Sequence, residues 1–253
     1  MRAVCVCALL AALAGAAAGQ EFEAVVVKPS HSLSNGSSSR GDRSQWTATN
    51  ESLKNLIMRA YGVRDYQVEG PDWLASTRFD IAAKYPAGMP KDGDRYLAAQ
   101  QAMMRKMLRD SFKLAVHRDS KVFPVYGLVV VKRGIKFKPA ADTGSDIQNS
   151  DNGHFTGTCV SMSAFAAFLA RREDQPVLDM TGLKGCYDLT MDWVPQPRQR
   201  AGGAGDTPIE TDLQKGPTLE DAIQEQLGLK LEARKAPIEI LVVDHAERVP
   251  LEN

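Results

Sequence analysis

Cysteine is scarce in this chain. Of four cysteines in 253 residues, Cys5 and Cys7 fall in an apolar N-terminal stretch, which leaves Cys159 and Cys186 for the remainder. Without a C-x-x-C pair a thioredoxin-like redox site is excluded, and two cysteines do not supply the three or four closely spaced ligands of a zinc site. Histidine is equally thin. His31, His117, His154 and His245 stand far apart in sequence, so no local metal-ligand motif is present. Neither sign of charge is in excess: Lys and Arg number 31, as do Asp and Glu, which removes the general electrostatic case for nucleic acid or an anionic membrane. Walker A, G-x-G-x-x-G, G-x-S-x-G and H-E-x-x-H are all missing, and with them the usual signals of phosphate cradles, nucleophile elbows and zinc peptidases.

What is present is an ordinary globular composition, 43% hydrophobic and 25% charged, behind a distinctive N-terminus. Arg2, the apolar stretch Ala3 to Leu13 and the small residues Ala14 to Gly19 have the order of a secretory signal peptide, with cleavage expected after Ala18 or Gly19. The uncharged stretch Ala3 to Gly19 is weakly apolar and short of the ~20 residues of a stable membrane span, and no later segment spans either. Residues 1–19 are therefore read as a leader, and the mature chain as exported to the periplasm or beyond. In an oxidising compartment Cys159 and Cys186 can pair as a disulfide, the alternative being two separate buried thiols.

The body of the chain repeats an amphipathic helix followed by two strands. Leu53, Leu56, Ile57, Ala60 and Tyr61 fall on one helical face that starts near Asn50 and stops at Gly62. A second helix is expected over Tyr96 to Phe112, a third after Ser161, and a fourth at Thr218 with Asp221 in a shortened capping box and Gly228 as its end. Strands are expected at Lys113 to Arg118, Val122 to Lys132, Val177 to Met180, Cys186 to Trp193, Leu229 to Arg234 and Ile238 to His245. The first and third units match best. Phe79-Asp80-Ile81 and Tyr187-Asp188-Leu189 place their apolar residues on one strand face and the aspartates on the other. The helix spacing is too uneven for a solenoid. The expected class is α+β: repeated helix–strand–strand units forming mixed sheets with helices packed on one face. An N-terminal half (20–139) and a C-terminal half (154–253) flank a linker-like Asp/Ser/Gly/Asn stretch at 140–153, and a Pro/Gly-rich loop occupies 195–217.

Segments spread over the mature chain carry a resemblance. They include Leu56-Ile57 with Ala60-Tyr61-Gly62-Val63, Gly70-Pro71-Asp72-Trp73-Leu74, Arg78-Phe79-Asp80-Ile81, Thr181-Gly182-Leu183-Lys184-Gly185 with Tyr187-Asp188, and Gln224 to Leu231. In their order they resemble a soil-associated bacterial family of exported proteins of unknown function, best known from acidobacteria. The resemblance implies no particular activity. It implies a sensory or partner-binding role, because some members look associated with membrane metallopeptidases of the antibiotic-sensor type. The helix–strand–strand pattern is also similar to the small N-terminal domains of secretins and TonB-dependent receptors.

Candidate chemistry is thin. His117-Arg118-Asp119 spells the opening of a kinase catalytic loop without its other parts, and Asp244-His245 is a pair without a nucleophile motif. Asp188 and Asp192 share a strand and read as its wet face. Arg105, Lys106, Arg109, Lys113 and Arg118, with Lys132, Arg133, Lys136 and Lys138, read as solvated faces, and Met103, Met104 and Met107 as core filler. No catalytic, cofactor-binding or metal residue is assigned. The expected function is a non-enzymatic binding or interaction module outside the cytoplasm, with a protein of the cell envelope as partner and no nucleic acid. A secreted hydrolase assembled only in the fold and a structural envelope protein are the alternatives. Export is checked by N-terminal sequencing of the protein from its native host. The expected start lies near Gln20, and an intact Met1 in a cytoplasmic fraction would refute it.

Overall fold

The computed structural model describes residues 21–32, 36–140, 146–148, 153–195 and 216–250, with backbone alone at 146–148. The expected leader 1–19, most of the expected linker 140–153 and most of the expected loop 195–217 lie outside the described residues. The first run of elements is β1 (Ala24–Pro29), β2 (Ser38–Gly41), β3 (Gln45–Ser52), α1 (Leu53–Tyr61), a 3-10 turn (Asp65–Gln67) and β4 (Val68–Glu69). It continues with α2 (Trp73–Ser76), β5 (Arg78–Lys84), α3 (Gly93–Phe112) and β6 (Ala115–Val130). The second run is β7 (Lys138–Pro139), β8 (Asp146–Gln148), β9 (His154–Ser161), α4 (Met162–Leu169), β10 (Val177–Asp179) and β11 (Cys186–Asp192). It closes with α5 (Leu219–Ala222), a π-helical turn (Ile223–Leu227) and β12 (Leu229–His245). The architecture is thus helices with mixed sheets, as the helix–strand–strand pattern implies.

Two compact units divide the chain: Met1–Lys121 with Ile238–Asn253, and Val122–Pro237. The division falls inside β6 and β12 rather than at 140–153, because each of these long strands contributes one end to either unit. Both were expected as two separate strands. Their middles, around Asp119-Ser120-Lys121 and Ala233-Arg234-Lys235, are exposed, so the polar run looks like a turn although the backbone stays extended.

Each unit is built on the same plan. In the first, an antiparallel sheet has the order β1-β5-β3-β2; in the second, the order is β7-β11-β9-β8. The registers coincide. Trp46 faces Ala83, Ala48 faces Ile81 and Ser52 faces Arg78 in the first sheet; Phe155 faces Met191, Gly157 faces Leu189 and Ser161 faces Cys186 in the second. Both sheets carry an irregularity at the same place, between Ala48 and Glu51 and between Tyr187 and Leu189. In the first unit β4 pairs in parallel with β12, and in the second β10 pairs in parallel with β6.

The irregularity has a physical cause. Asn50 and Cys159 adopt the left-handed backbone conformation, at φ 57° and 48°. Their N–H groups leave the ladder, and each donates to an aspartate on the facing strand: Asn50 to Asp80 Oδ1 at 2.8 Å, Cys159 to Asp188 Oδ1 at 3.1 Å. Two residues later Ser52 and Ser161 cap α1 and α4, accepting the N–H of Asn55 and Ala164, both at 3.1 Å. Ser52, not Asn50, is therefore the cap of α1; Asn50 serves the bulge before it. Likewise α3 starts a turn before Tyr96, because Asp92 accepts the Arg95 N–H at 3.0 Å.

Two cores follow from this plan. In the first unit Leu53, Leu56, Ile57 and Ala60 of α1 meet Met103, Met104, Met107 and Leu108 of α3 over Phe79 and Ile81. In the second Met162, Phe165, Ala166 and Leu169 of α4 pack with Phe155, Leu189, Met191 and the π-helical Ile223 and Leu227. The methionines are core, as their helical spacing implied. The expected effect of Asp80→Ala is a loss of about 1–3 kcal/mol, since it removes the acceptor of an N–H on a buried residue. Asp80→Asn, which keeps an acceptor oxygen, should recover part of that loss. Urea unfolding of the three proteins measures it, and equal stability of wild type and Asp80→Ala would refute the role.

Candidate functional site: a cationic aromatic cleft

The β2–β3 hairpin makes one wall of a cleft in the first unit. Asp42 closes its turn by accepting the Ser44 N–H and Ser44 Oγ, each at 2.7 Å, and the Gln45 N–H at 3.0 Å. These bonds, the Ser44 hydroxyl first, hold the Asp42 carboxyl below its ordinary pKa. Gly41 lets the turn lie close to the sheet: a Cβ there would sit 3.1 Å from the Gln45 carbonyl oxygen and 3.2 Å from Trp46 Cδ1. On the far side the first turns of α3 bring Tyr96 and Gln100, four residues apart, onto one face. Tyr96 donates its hydroxyl proton to the Asp42 carbonyl at 3.2 Å, and Gln100 Nε2 bonds the Tyr85 hydroxyl.

Between these walls is a cavity of about 560 Å³. Its lining includes four cations, Arg40, Arg43, Arg59 and Lys91, against one carboxylate, Asp42. Trp46 and Tyr85 line it from below, and both are almost fully buried. Burial pushes the Tyr85 phenol up to about 12, so it stays neutral at any physiological pH. Arg59, from the last turn of α1, sits with its guanidinium carbon 5.8 Å from the Trp46 ring centre and donates from Nη2 to Ser39 Oγ at 3.0 Å. Among the described residues none of the four cations has an ion-pair partner. The arrangement offers several hydrogen-bond donors and positive charge at the mouth of a preformed hollow, over an apolar aromatic floor. It holds no nucleophile beside a base.

The residues singled out in sequence behave otherwise. Three residues of the basic run from Arg105 to Arg118 are engaged. Lys106 bonds Asp110 at 2.7 Å and Glu21 at 3.1 Å, Arg105 donates to the Ala60 carbonyl at 2.8 Å, and Arg118 pairs with Glu239. Asp244 pairs with His117 Nδ1 at 2.7 Å, while His245 turns to Glu247 at 3.3 Å, so these two neighbours in sequence have different partners. Asp188 and Asp192 have separate tasks: Asp188 holds Cys159, and Asp192 accepts from His154 Nδ1 at 2.6 Å. His154 Nε2 lies 3.1 Å from Thr156 Oγ1, which completes a carboxylate–imidazole–hydroxyl relay on one face of β9. The His154 and Asp192 side chains are 44% and 71% exposed. Among the described residues no three or more His, Cys, Asp or Glu side chains gather as a metal site.

Cys159 and Cys186 are bonded, with their Cα atoms 4.5 Å apart. They occupy the places that Asn50 and Arg78 hold in the first unit, where Arg78 Nη1 reaches the Asn50 carbonyl at 3.4 Å. One unit therefore joins the bulge to the next strand covalently and the other by a hydrogen bond.

The fold and the cleft define an α+β protein of two alike halves, one of which carries a cationic hollow. The chain belongs to the family described as protein of unknown function, DUF3738, which matches residues 54–246. No curated protein and no solved structure matches it.

The disulfide closes a loop with a sequence separation of 27, worth about 3–4 kcal/mol in the chain-entropy account. Peptide mapping of the protein from its native host without reductant should return one cross-linked Cys159–Cys186 peptide. Two separately alkylated thiols would overturn the pairing.

Proposed function

We propose that this chain is a non-enzymatic binding module working outside the cytoplasm, and that its ligand seats in the cleft of the first unit. One observation carries the reading. The two units share strand order and register, yet they finish the same corner differently. In the second unit Phe155, Phe168 and Trp193 close it, with ring centres 4.4 Å apart for the first pair and 6.2 Å for the second. In the first unit the corresponding places hold Trp46, Arg59 and Tyr85, and a cavity of about 560 Å³ lies over them. The shared plan is satisfied by an aromatic seal, so an arginine and an open hollow at that corner answer a demand other than folding. Hollows of about 300–1,000 Å³ are the usual size for small-ligand sites. The N-terminal leader pattern supports work outside the cytoplasm.

A secreted hydrolase is the second reading, favoured by the relay of Asp192, His154 and Thr156. It ranks lower because the relay lies on an open strand face, where no described wall would hold a substrate or exclude water.

The test places a photo-crosslinking p-benzoylphenylalanine at Tyr96, and in a second protein at Thr190 on the second unit, and irradiates each with the envelope fraction of the native host. The expected result is a discrete adduct from position 96 alone. The same adducts from both positions, or none from position 96, would overturn the cleft as the binding site. Hydrolysis of p-nitrophenyl acetate that disappears in Thr156→Ala would overturn the non-enzymatic part.

A further inference from the structure

We infer that the ligand of this cleft is an organic anion, a phosphate or carboxylate carried on a body of sugar-unit size. The inference rests on the binding reading above and adds the chemical class. Charge is the first ground. Arg40 and Arg43 come from the β2–β3 hairpin, Arg59 from α1 and Lys91 from the segment before α3, so three separate pieces of chain bring four cations to one hollow. Asp42 stands among them with its charge intact, since its partners Ser44 and Gln45 are neutral, so it offsets one of the four cations and leaves the lining with an excess of positive charge. Elsewhere in this unit several cations do find carboxylates: Lys54 pairs with Asp65 at 2.7 Å, Lys84 with Glu23 at 2.7 Å and Lys121 with Glu69 at 2.8 Å.

Preorganisation is the second ground. Arg59 is held by two neutral partners, the Trp46 ring and the Ser39 hydroxyl, which fix its position and leave its charge uncompensated. A guanidinium so held presents a planar fork that matches the two oxygens of a carboxylate or phosphate. Size is the third. A free inorganic ion would leave most of a hollow of about 560 Å³ to water, so the anionic group belongs to a larger molecule. The wall opposite the hairpin has room for it. A Cβ built on Gly93 meets nothing within 4 Å, and Tyr96 is only half-buried beside it.

The full mature chain is titrated by calorimetry with three probes: glucose 6-phosphate, trigalacturonic acid and neutral maltotriose. Saturable binding of at least one anionic probe, with maltotriose silent, is the expected result, and which anion binds separates phosphate from carboxylate. The binding should weaken as salt rises. It should fall at least tenfold in Arg59→Gln, and several-fold in Arg43→Gln and Lys91→Gln, two exposed side chains whose loss leaves the fold intact should Arg59→Gln fail to fold. Lys121→Gln, outside the cleft, should bind as wild type does. Binding of maltotriose alone, lost in Tyr96→Ala, would overturn the anionic class and leave the binding module standing. Silence of all three probes would overturn the class as well. Anion binding that all the cleft variants retain would overturn the assignment to this site. The crosslinking at position 96 reads the binding module independently of these probes.

Discussion

A single carboxylate in each half governs how a strand becomes a helix. Asp80 and Asp188 each accept a backbone N–H from a residue in the left-handed conformation, Asn50 and Cys159, that has turned out of its ladder. A buried N–H without an acceptor is costly, so the kinked backbone persists only where the carboxylate meets it. The kink sets the position of Ser52 and Ser161, the caps, and through them the direction of α1 and α4. Everything that α1 carries depends on that direction, including the apolar face of Leu53, Leu56, Ile57 and Ala60 and, on the outer side, Arg59. An aspartate that looks like the wet face of a strand is therefore the link between sheet and helix.

The two halves reinforce this joint by different chemistry at the same positions. Asparagine tolerates the left-handed region better than most residues, and Asn50 is held there by hydrogen bonds, among them those to the Asp80 carboxylate, from Arg78 and to the Gly36 carbonyl. Cysteine has no such preference, and in the second unit the bond to Cys186 fixes what the side chain does not favour locally. The disulfide therefore acts at the point of backbone strain. The helix ends diverge in the same way: Lys113, at φ 50°, ends α3 where Gly228, at φ 70°, ends the π-helical turn. Glycine takes that conformation freely, and lysine takes it because the longer α3 is anchored by its buried methionines.

How much of this could be seen beforehand follows from the range of each signal. The faces of α1 and α4, the capping box at Thr218 and the stops at Gly62 and Gly228 were legible, because periodicity and capping are local. The likeness of Phe79-Asp80-Ile81 and Tyr187-Asp188-Leu189 also pointed to equivalent strands. Asn50 misled because asparagine suits both a helix cap and a left-handed bulge, and only the partner strand decides between them. The middles of β6 and β12 misled because a polar run bounded by apolar residues is the pattern of a turn as well as of an exposed strand. The cleft was not legible at all. Its cations lie at positions 40, 43, 59 and 91, dispersed in sequence and converging only through sheet register and the placement of α1 and α3. In the basic run that drew notice, from Arg105 to Arg118, Arg105, Lys106 and Arg118 are engaged by partners that, Asp110 apart, lie far off in sequence.

The likeness of the two halves makes the cleft intelligible as a departure from a shared plan rather than a flaw in packing. In the second unit Phe168 fills the corner, and Arg172 lies 3.9 Å from its ring centre and 5.5 Å from that of Trp193, so an aromatic seal is covered by a cation from above. In the first unit the arginine has moved into the seal itself. Trp46 nevertheless remains 3% exposed, with the Arg59 guanidinium over its ring and the β2 hairpin close against its edge. A long cationic side chain thus keeps the floor dry and carries its charge to the mouth, which a phenylalanine does not do. The core beneath tolerates the exchange because α3, twenty residues long, adds Met103, Met104, Met107, Leu108 and Phe112 to it. The second unit has only the short α5 and π-helical turn there, and its aromatic cluster must do more of the packing. The half with the longer helix is the half whose corner was free to open.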